Sequence, residues 1–265
     1  MDNHKKEIIV TIVCSFFVAV TAVVSSIITR WPTTTYHIKT LPSFEDVQIK
    51  GYFPLKDGNR WEYFGVALNN TGKDVIEKKI KVVMSVTEVT QGGNAVLFTM
   101  KGHPSDAAWA LESHDALTDI VEVPASTYGY LLVANKIFNI PEKRLAEVRK
   151  SIKHGGFLKP ELVSQDDLEF EFPLFSGQAF GSPNQITRAD RNYSWQVRDA
   201  VRYIGPGNED GTKGSQYKLV YTTIPDYTEV AFVPYLGIVS FSYHHHGTEA
   251  QIDIALQNYR MNVKQ

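Results

Sequence analysis

The chain has 265 residues, of which 43% are hydrophobic, and its formal net charge is −2. This length allows one large domain or two small ones, because domains run to roughly 100–200 residues. The near-neutral charge excludes the strongly basic surface that is typical of nucleic-acid-binding proteins. The single cysteine, Cys14, lies in an apolar N-terminal run. The rest of the chain therefore has no disulfide and no thiolate metal ligand or nucleophile.

An uncharged stretch runs from Ile8 to Thr29, with Lys5 and Lys6 before it and Arg30 after it. As a helix rising about 1.5 Å per residue, its 22 residues are long enough to cross a hydrocarbon core of roughly 30 Å. Residues 1–30 are therefore expected to form a single-pass signal-anchor in the cell membrane. A cleaved signal sequence is the alternative, although its apolar centre is usually shorter, roughly 7–15 residues. The two lysines favour a cytoplasmic N-terminus and an extracytoplasmic main domain.

Beyond this segment the pattern predicts β-structure. Residues 31–50 contain Pro32, Pro42 and three consecutive threonines, which favour an extended linker. Residues 51–265 are expected to form an extracytoplasmic β-rich domain, because runs of Val, Ile, Thr, Tyr and Phe alternate with turn residues. The predicted strands are Trp61–Leu68, Lys78–Val89, Ala95–Lys101, Ala108–Glu112, Ile120–Val123, Leu168–Phe172, Tyr193–Ile204, Tyr217–Thr223, Glu229–Val233, Ile238–His244 and Ala250–Tyr259. One helix is predicted from Pro141 to Ile152, ending before Gly155-Gly156. The expected fold is mainly β (α+β), an antiparallel sheet with one or two helices, preceded by one N-terminal transmembrane helix.

A nine-residue segment occurs twice. Phe53–Trp61 and Phe172–Phe180 share four identities and an aromatic ninth residue, at an offset of 119 residues. Proline suits the entrance of a strand because it lacks an N–H, and glycine then allows a tight bend before the aromatic residue. Two interpretations follow: the domain consists of two related halves, or the same edge turn is used twice.

The first of these segments also carries a family resemblance. Tyr52–Tyr63 reads Tyr-Phe-Pro-Leu-Lys-Asp-Gly-Asn-Arg-Trp-Glu-Tyr. The pattern Tyr-Phe-Pro-Leu…Gly-Asn…Trp…Tyr resembles the opening of a broad group of uncharacterised bacterial envelope proteins, many of them lipoproteins. With the similar ending Gly237–Tyr243, the resemblance covers most of Tyr52–Tyr259. It implies a curved antiparallel sheet or half-barrel in the cell envelope, similar to periplasmic lipoprotein carriers, and no particular activity. The chain departs from the group because Thr11–Val13, before Cys14, does not match a lipobox.

Three consecutive histidines are the most unusual local feature. On a strand, His244 and His246 share one face, and two imidazoles at this spacing can chelate zinc if a third ligand comes from elsewhere. The candidates for the third ligand are His103, His114, His154, Glu249 and Asp253. The alternative interpretation is a pair of exposed histidines at the polar end of a strand, next to Gly247. Catalytic residues are not assigned, because no Gly-x-Ser-x-Gly nucleophile elbow is present.

Aromatic residues are concentrated in the predicted strands. A curved sheet with a helix over its open side can enclose an apolar cavity for a lipid-like ligand. The alternative is that these side chains only fill the core, as aromatic residues commonly do. The residues concerned are Phe53, Trp61, Tyr63, Phe98, Trp109, Tyr128, Tyr130, Phe170, Phe172, Tyr193, Trp195, Tyr221, Phe232 and Phe241.

The leading functional expectation is a non-catalytic, membrane-anchored envelope protein that binds a lipid-like apolar ligand or a partner protein. Two alternatives remain open at this stage. One is a metal-dependent enzyme with a zinc site at His244 and His246, and the other is a purely structural envelope protein. Apart from that zinc ion no cofactor is expected, and no nucleic-acid partner is expected either.

Overall fold

The computed structural model describes residues 49–70, 74–112, 119–155, 158, 160–209, 211, 214–247 and 250–262. All of them belong to one unit of the chain, Pro42–Gln265. The predicted anchor at residues 1–30 and nearly all of the predicted linker lie outside the described residues. Among the helices in the described ranges, none is long and apolar enough to cross a membrane.

Most of the described residues belong to strands or short helices. The strands are β1 Arg60–Asn70, β2 Val75–Gly92, β3 Ala95–Lys101, β4 Val121–Glu122, β5 Thr127–Val133, β6 Lys136–Pro141, β7 Leu168–Glu171, β8 Ala179–Phe180, β9 Trp195–Arg202, β10 Ser215–Thr222, β11 Asp226–Val233, β12 Gly237–His245 and β13 Ala250–Arg260. The α-helices are α1 Ile49–Tyr52, α2 Trp109–Glu112, α3 Glu142–Gly155 and α4 Pro183–Ile186. Three 3₁₀ turns span Pro104–Ala108, Pro160–Leu162 and Gln165–Asp167.

The strands form one curved sheet. Their order is β7-β6-β5-β3-β2-β1-β13-β12-β11-β10-β9-β8, and every neighbouring pair in this order is antiparallel. Strand β4 adds a short parallel pair with β2. The two edge strands, β7 and β8, contact each other without forming a ladder. The sheet is therefore nearly closed, and the prediction of a mainly β, antiparallel fold is confirmed.

Most predicted elements have the predicted type, and helix α3 covers the predicted helix except for Pro141, which ends β6. The predicted strand Ala108–Glu112 is wrong, because this segment is the end of a 3₁₀ turn followed by helix α2. The cause is local capping: the ring of His103 accepts the N–H of Ser105, and the carboxylate of Asp106 accepts the N–H of His103. These bonds form a capping box, which starts a helical turn whatever the strand propensity of the following residues.

The hairpin of strands β5 and β6 was not predicted. Its turn contains Ala134 with φ 51°, a left-handed conformation that sequence reasoning expects of glycine or asparagine. The side-chain amide of Asn135 donates to the carbonyl of Phe172 at 2.9 Å, which fixes this turn against a distant segment. A tertiary contact thus supports a turn that carries no glycine signal.

The two similar nine-residue segments adopt the same turn. Gly58 and Gly177 have φ values of 79° and 86°, where glycine is favoured. The N–H of each glycine donates to a valine carbonyl in the next strand, Val86 in β2 or Val197 in β9, at 3.1 and 2.8 Å. The same valine N–H donates back to the carbonyl of the residue after the glycine, at 3.0 and 2.8 Å. Each segment thus starts a six-strand meander, and two related halves remain a prediction.

Aromatic rings fill the part of the interior where these two turns meet. We call the set Tyr52, Phe53, Phe170, Phe172 and Phe232 the aromatic cluster. Phe232 is fully buried, and its ring centroid lies 5.2 to 5.9 Å from those of the other four. Such pairs are worth about 0.5–1.5 kcal/mol each beyond the area that they bury. The cluster therefore joins the first meander to the second.

Candidate functional site

A cavity of about 710 Å³ lies on the concave side of the sheet, next to the aromatic cluster. Strands β6 and β7 of the first meander and strands β9–β13 of the second contribute to its wall. The 3₁₀ turns at Pro104–Ala108 and Gln165–Asp167, together with helix α2, complete it. The lining residues are His103, Ser105, Ala108, Leu111, Glu112, Asn139, Asp166, Asp167, Leu168, Glu169, Trp195, Tyr221, Thr228, Val230, Phe241, Tyr243 and Ile252.

The second meander provides much of the apolar wall through strand alternation. Thr228 and Val230 lie two residues apart on β11, and Phe241 and Tyr243 have the same spacing on β12. Because side chains two residues apart share a face, each strand presents both of its residues to the cavity. Trp195, Tyr221 and Phe241 line the cavity, whereas most of the other aromatic residues singled out in the sequence are buried in the core. The aromatic residues therefore leave a cavity rather than filling the whole interior, and a lipid-like ligand in it stays a prediction.

The polar wall is centred on Glu169, a carboxylate that is only 8% exposed. Where β7 pairs with β6, Ile137 lies opposite Phe170 and Phe138 lies opposite Leu168, so that Glu169 has no partner in the ladder. This is a β-bulge, and bulges redirect a side chain relative to the regular alternation. The bulge accounts for a glutamate that lines the interior between two buried apolar neighbours.

Three side chains, those of Tyr130, Asn139 and His103, form a hydrogen-bonded network with this carboxylate. Tyr130 donates its hydroxyl to Oε1 of Glu169 at 2.7 Å, and the amide of Asn139 donates to Oε2 at 2.9 Å. Nε2 of His103 lies 3.2 Å from Oε1 of Glu169 and 3.1 Å from the Tyr130 hydroxyl. Nδ1 of His103 accepts the Ser105 N–H at 3.1 Å. Because Nδ1 accepts, Nε2 is the ring nitrogen of His103 that donates toward Glu169.

The network keeps Glu169 ionised. Burial raises the pKa of this carboxyl, but the adjacent His103 and the hydrogen bonds from His103, Tyr130 and Asn139 outweigh burial, so that the pKa lies below its usual value. Burial, followed by the charge of Glu169, raises the pKa of Tyr130 well above 10. The Tyr130 hydroxyl therefore stays protonated and remains a donor.

The predicted zinc residues lie elsewhere, in a groove of about 490 Å³ that is lined by His244, His245 and His246 together with Tyr227, Ala250 and Gln251. Strand β12 ends at His245, so His246 lies in the following turn rather than on the strand. Nε2 of His244 is 3.9 Å from Oδ1 of Asp253, and Nδ1 of His245 is 2.6 Å from Oδ1 of Asp226.

Of the other candidate third ligands, His103 lies in the cavity network and His154 is exposed on helix α3. His114 and Glu249 are outside the described residues. Within the described part of the chain, no three His, Cys, Asp or Glu side chains are grouped so that they could hold a metal ion. The zinc site stays a prediction.

Sequence reasoning found some residues of the cavity and of the network at Glu169, and it missed others. His103 was considered only as a zinc ligand, and Tyr130 only as an aromatic residue of a strand. Glu169 and Asn139 were not singled out, because a glutamate in an alternating run such as Leu-Glu-Phe-Glu-Phe is expected to face solvent. No pattern in the sequence predicts the bulge that directs Glu169 toward the interior.

No protein-family model matches the chain, and no curated protein matches it either. Two solved structures are similar to it at a low level. A candidate lipoprotein from Parabacteroides distasonis is 10% identical with a TM-score of 0.38, over 79% of this chain and 98% of that one. A candidate exported protein with a YmcC-like fold, from Bacteroides fragilis, is 12% identical with a TM-score of 0.35, over 79% and 98% of the respective chains. Likenesses this weak assign neither a family nor an activity to this chain.

Proposed function

We propose that this protein is a membrane-anchored, extracytoplasmic module of the cell envelope that binds a lipid-like ligand and is not an enzyme. The observation that carries the proposal is the cavity of about 710 Å³ on the concave side of the sheet. Small-molecule sites are typically concave, about 300–1,000 Å³ in volume, and mostly apolar with a few placed polar groups. The cavity meets each of these criteria.

The two sides of the cavity suit the two ends of an amphiphile. Val230, Phe241 and Ile252 are buried apolar residues of the wall, and contact with them removes a hydrocarbon chain from water. Burial of apolar surface contributes roughly 25 cal/mol per Å². Glu169 and Asn139 lie on the polar side and hold fixed hydrogen-bonding positions for a headgroup. A lipid-like molecule uses both sides, whereas a purely apolar ligand would leave the carboxylate desolvated.

The sequence supports the cellular location within this proposal. The uncharged stretch Ile8–Thr29, preceded by Lys5 and Lys6, favours an anchor with its N-terminus inside. The resemblance of Tyr52–Tyr63 to the opening of bacterial envelope proteins points to the same compartment. A module on the outer side of a membrane is where a lipid-like ligand would be encountered.

The test is a titration of the full chain with 1-octanol, monitored by isothermal titration calorimetry. Ala108 lies on the cavity wall and is exposed, so Ala108→Trp obstructs the cavity without placing a large side chain in the core. Ala200, exposed on β9 and away from the cavity, provides the matched control Ala200→Trp. Saturable binding to the wild type and to Ala200→Trp, but not to Ala108→Trp, is expected. Equal binding to all three proteins, or none to the wild type, would contradict the proposal.

One observation favours a second candidate function, an esterase-type hydrolase. Oγ of Ser105 lies 2.6 Å from Nδ1 of His103, whose Nε2 is 3.2 Å from Oε1 of Glu169. This is the order of a nucleophile, a base and an orienting acid. The capping box at Pro104–Ala108 already accounts for the contact, because the Ser105 N–H donates to the same Nδ1. A fluorophosphonate reagent that labels the wild type but not Ser105→Ala would favour the hydrolase, and no labelling would dismiss it.

A further inference from the structure

We infer that the polar end of the ligand is an ammonium cation. This inference rests on the proposed function and specifies the chemical class of the ligand of the same cavity. It is carried by the acidic side chains on the cavity wall.

Four carboxylates line the cavity: Glu112, Asp166, Asp167 and Glu169. Among the lining residues that the structure describes there is no lysine and no arginine.

Arg144 compensates one of the four carboxylates. Its guanidinium donates to both oxygens of Asp167, at 2.8 and 2.5 Å, so this pair is close to neutral. The amine of Lys78 is buried behind helix α2, where it donates to the carbonyl of Ala110 at 2.9 Å, and it is not on the wall. Three carboxylates remain after the pairing of Asp167.

The remaining three differ in depth. Glu112 and Asp166 are exposed residues on the wall, at α2 and at the turn Gln165–Asp167. Burial raises the pKa of Tyr221 on β10, and the charge of Asp166 raises it further. Asp166 therefore acts electrostatically on the second meander. Glu169 lies deeper, where Nε2 of His103 is 3.2 Å from its Oε1 and offsets part of its charge, so Glu112 and Asp166 carry the charge that faces a ligand.

The negative charge of these carboxylates determines which kind of headgroup the cavity favours. Two unit charges 4 Å apart interact by about 1 kcal/mol in water and about 4 kcal/mol at the effective dielectric constant near a protein surface. A phosphate or carboxylate headgroup would be repelled by Glu112 and Asp166, whereas an ammonium group would be attracted to them. Ammonium also supplies the N–H donors that carboxylate oxygens accept.

The test uses the full chain and three probes that share one hydrocarbon chain: octylammonium, octanoate and 1-octanol. Binding that Ala108→Trp abolishes is counted as binding in the cavity. At neutral pH, octylammonium is expected to bind at least about tenfold more tightly than octanoate, with octanol between them. Octanol binding with equal affinities for the two charged probes, or with a preference for octanoate, overturns the inference and leaves the proposed function standing. Absence of octanol binding overturns the proposed function itself.

Variants assign the effect to particular carboxylates. Asp166→Asn and Glu112→Gln keep the side-chain shape at exposed positions, and each should reduce the ratio of the two charged affinities by about threefold. Asp199→Asn, at an exposed position of β9 off the cavity wall, is the matched control and should leave the ratio unchanged. A ratio unchanged in the double variant Asp166→Asn/Glu112→Gln would overturn the assignment.

Two classes of amphiphile carry an ammonium group, and a further probe distinguishes them. Lysophosphatidylethanolamine carries the ammonium next to a phosphate, whereas octylammonium carries it alone. Comparable binding of the two probes assigns the ligand to ammonium-bearing phospholipids. Much weaker binding of lysophosphatidylethanolamine assigns it to amphiphilic amines without phosphate.

Discussion

Replacement of Tyr130 by phenylalanine tests the account of the cavity network. The change removes a hydroxyl that donates to ionised Glu169 at 2.7 Å in the buried interior. A hydrogen bond to a charged group contributes about 1.5–3 kcal/mol, compared with about 0.5–1.5 kcal/mol for a neutral one. Tyr63→Phe is the matched control, because the Tyr63 hydroxyl is equally buried and donates to the neutral carbonyl of Ile238 at 3.0 Å. Tyr130→Phe should therefore lower the free energy of unfolding about twice as much as Tyr63→Phe at pH 7.

The pH dependence separates the two variants further. The folded state lowers the pKa of Glu169, so its contribution is complete above the unfolded value of about 4.3 and is lost as the pH falls through the folded pKa. The cost of Tyr130→Phe should accordingly shrink below about pH 4.3, whereas the cost of Tyr63→Phe should stay constant. Urea unfolding followed by tryptophan fluorescence at pH 7 and in steps below pH 4.3 measures both. Equal losses at pH 7, or a cost of Tyr130→Phe that does not change on acidification, would refute the charged network.

Three further predictions concern the core, the histidine groove and the N-terminus. Phe232→Ala should lower the free energy of unfolding by about 3–5 kcal/mol in urea, because it removes the shared ring of the aromatic cluster. Phe175→Ala, at a position 44% exposed, should change it by less than about 0.5 kcal/mol. If His244 and His246 bind zinc, replacing both with alanine should abolish the zinc content measured by mass spectrometry, and an unchanged content would dismiss that site. If residues 1–30 are an uncleaved anchor, N-terminal sequencing of the membrane-bound protein should find Met1 or its neighbour, and a start after the apolar stretch would contradict the anchor.

The sequence predicts the strands far better than it predicts the site. Strand β3 is predicted with its observed bounds, and β12 and β13 within one residue at each end, because alternation is a local signal with period two. Helix α3 is predicted for the same kind of reason, from apolar residues at helical spacing that end near Gly155. Each of these signals needs only neighbours in the chain.

The cavity depends on interactions that local patterns do not contain. Glu169 faces the interior because of a bulge whose cause is the pairing of β7 with β6, some thirty residues earlier in the chain. His103 contacts it from the start of a capped helical turn, which precedes the segment Ala108–Glu112 where a strand was predicted. Asn139 and Tyr130 come from the hairpin that was missed for lack of a glycine in its turn. The members of the polar network therefore lie at positions where tertiary structure overrides local preference.

The cavity exists because the aromatic cluster fills only part of the interior. Thr228, Val230 and Phe232 follow one another on a single face of β11. Phe232 packs into the cluster, whereas Val230 and Thr228 line the cavity, so the side chains become smaller from the cluster toward the open space. A sheet that closed around large residues along its whole length would leave no room for a ligand. The decrease in side-chain size along β11, opposite a carboxylate held in place by a bulge, gives one cavity both an apolar floor and a charged wall.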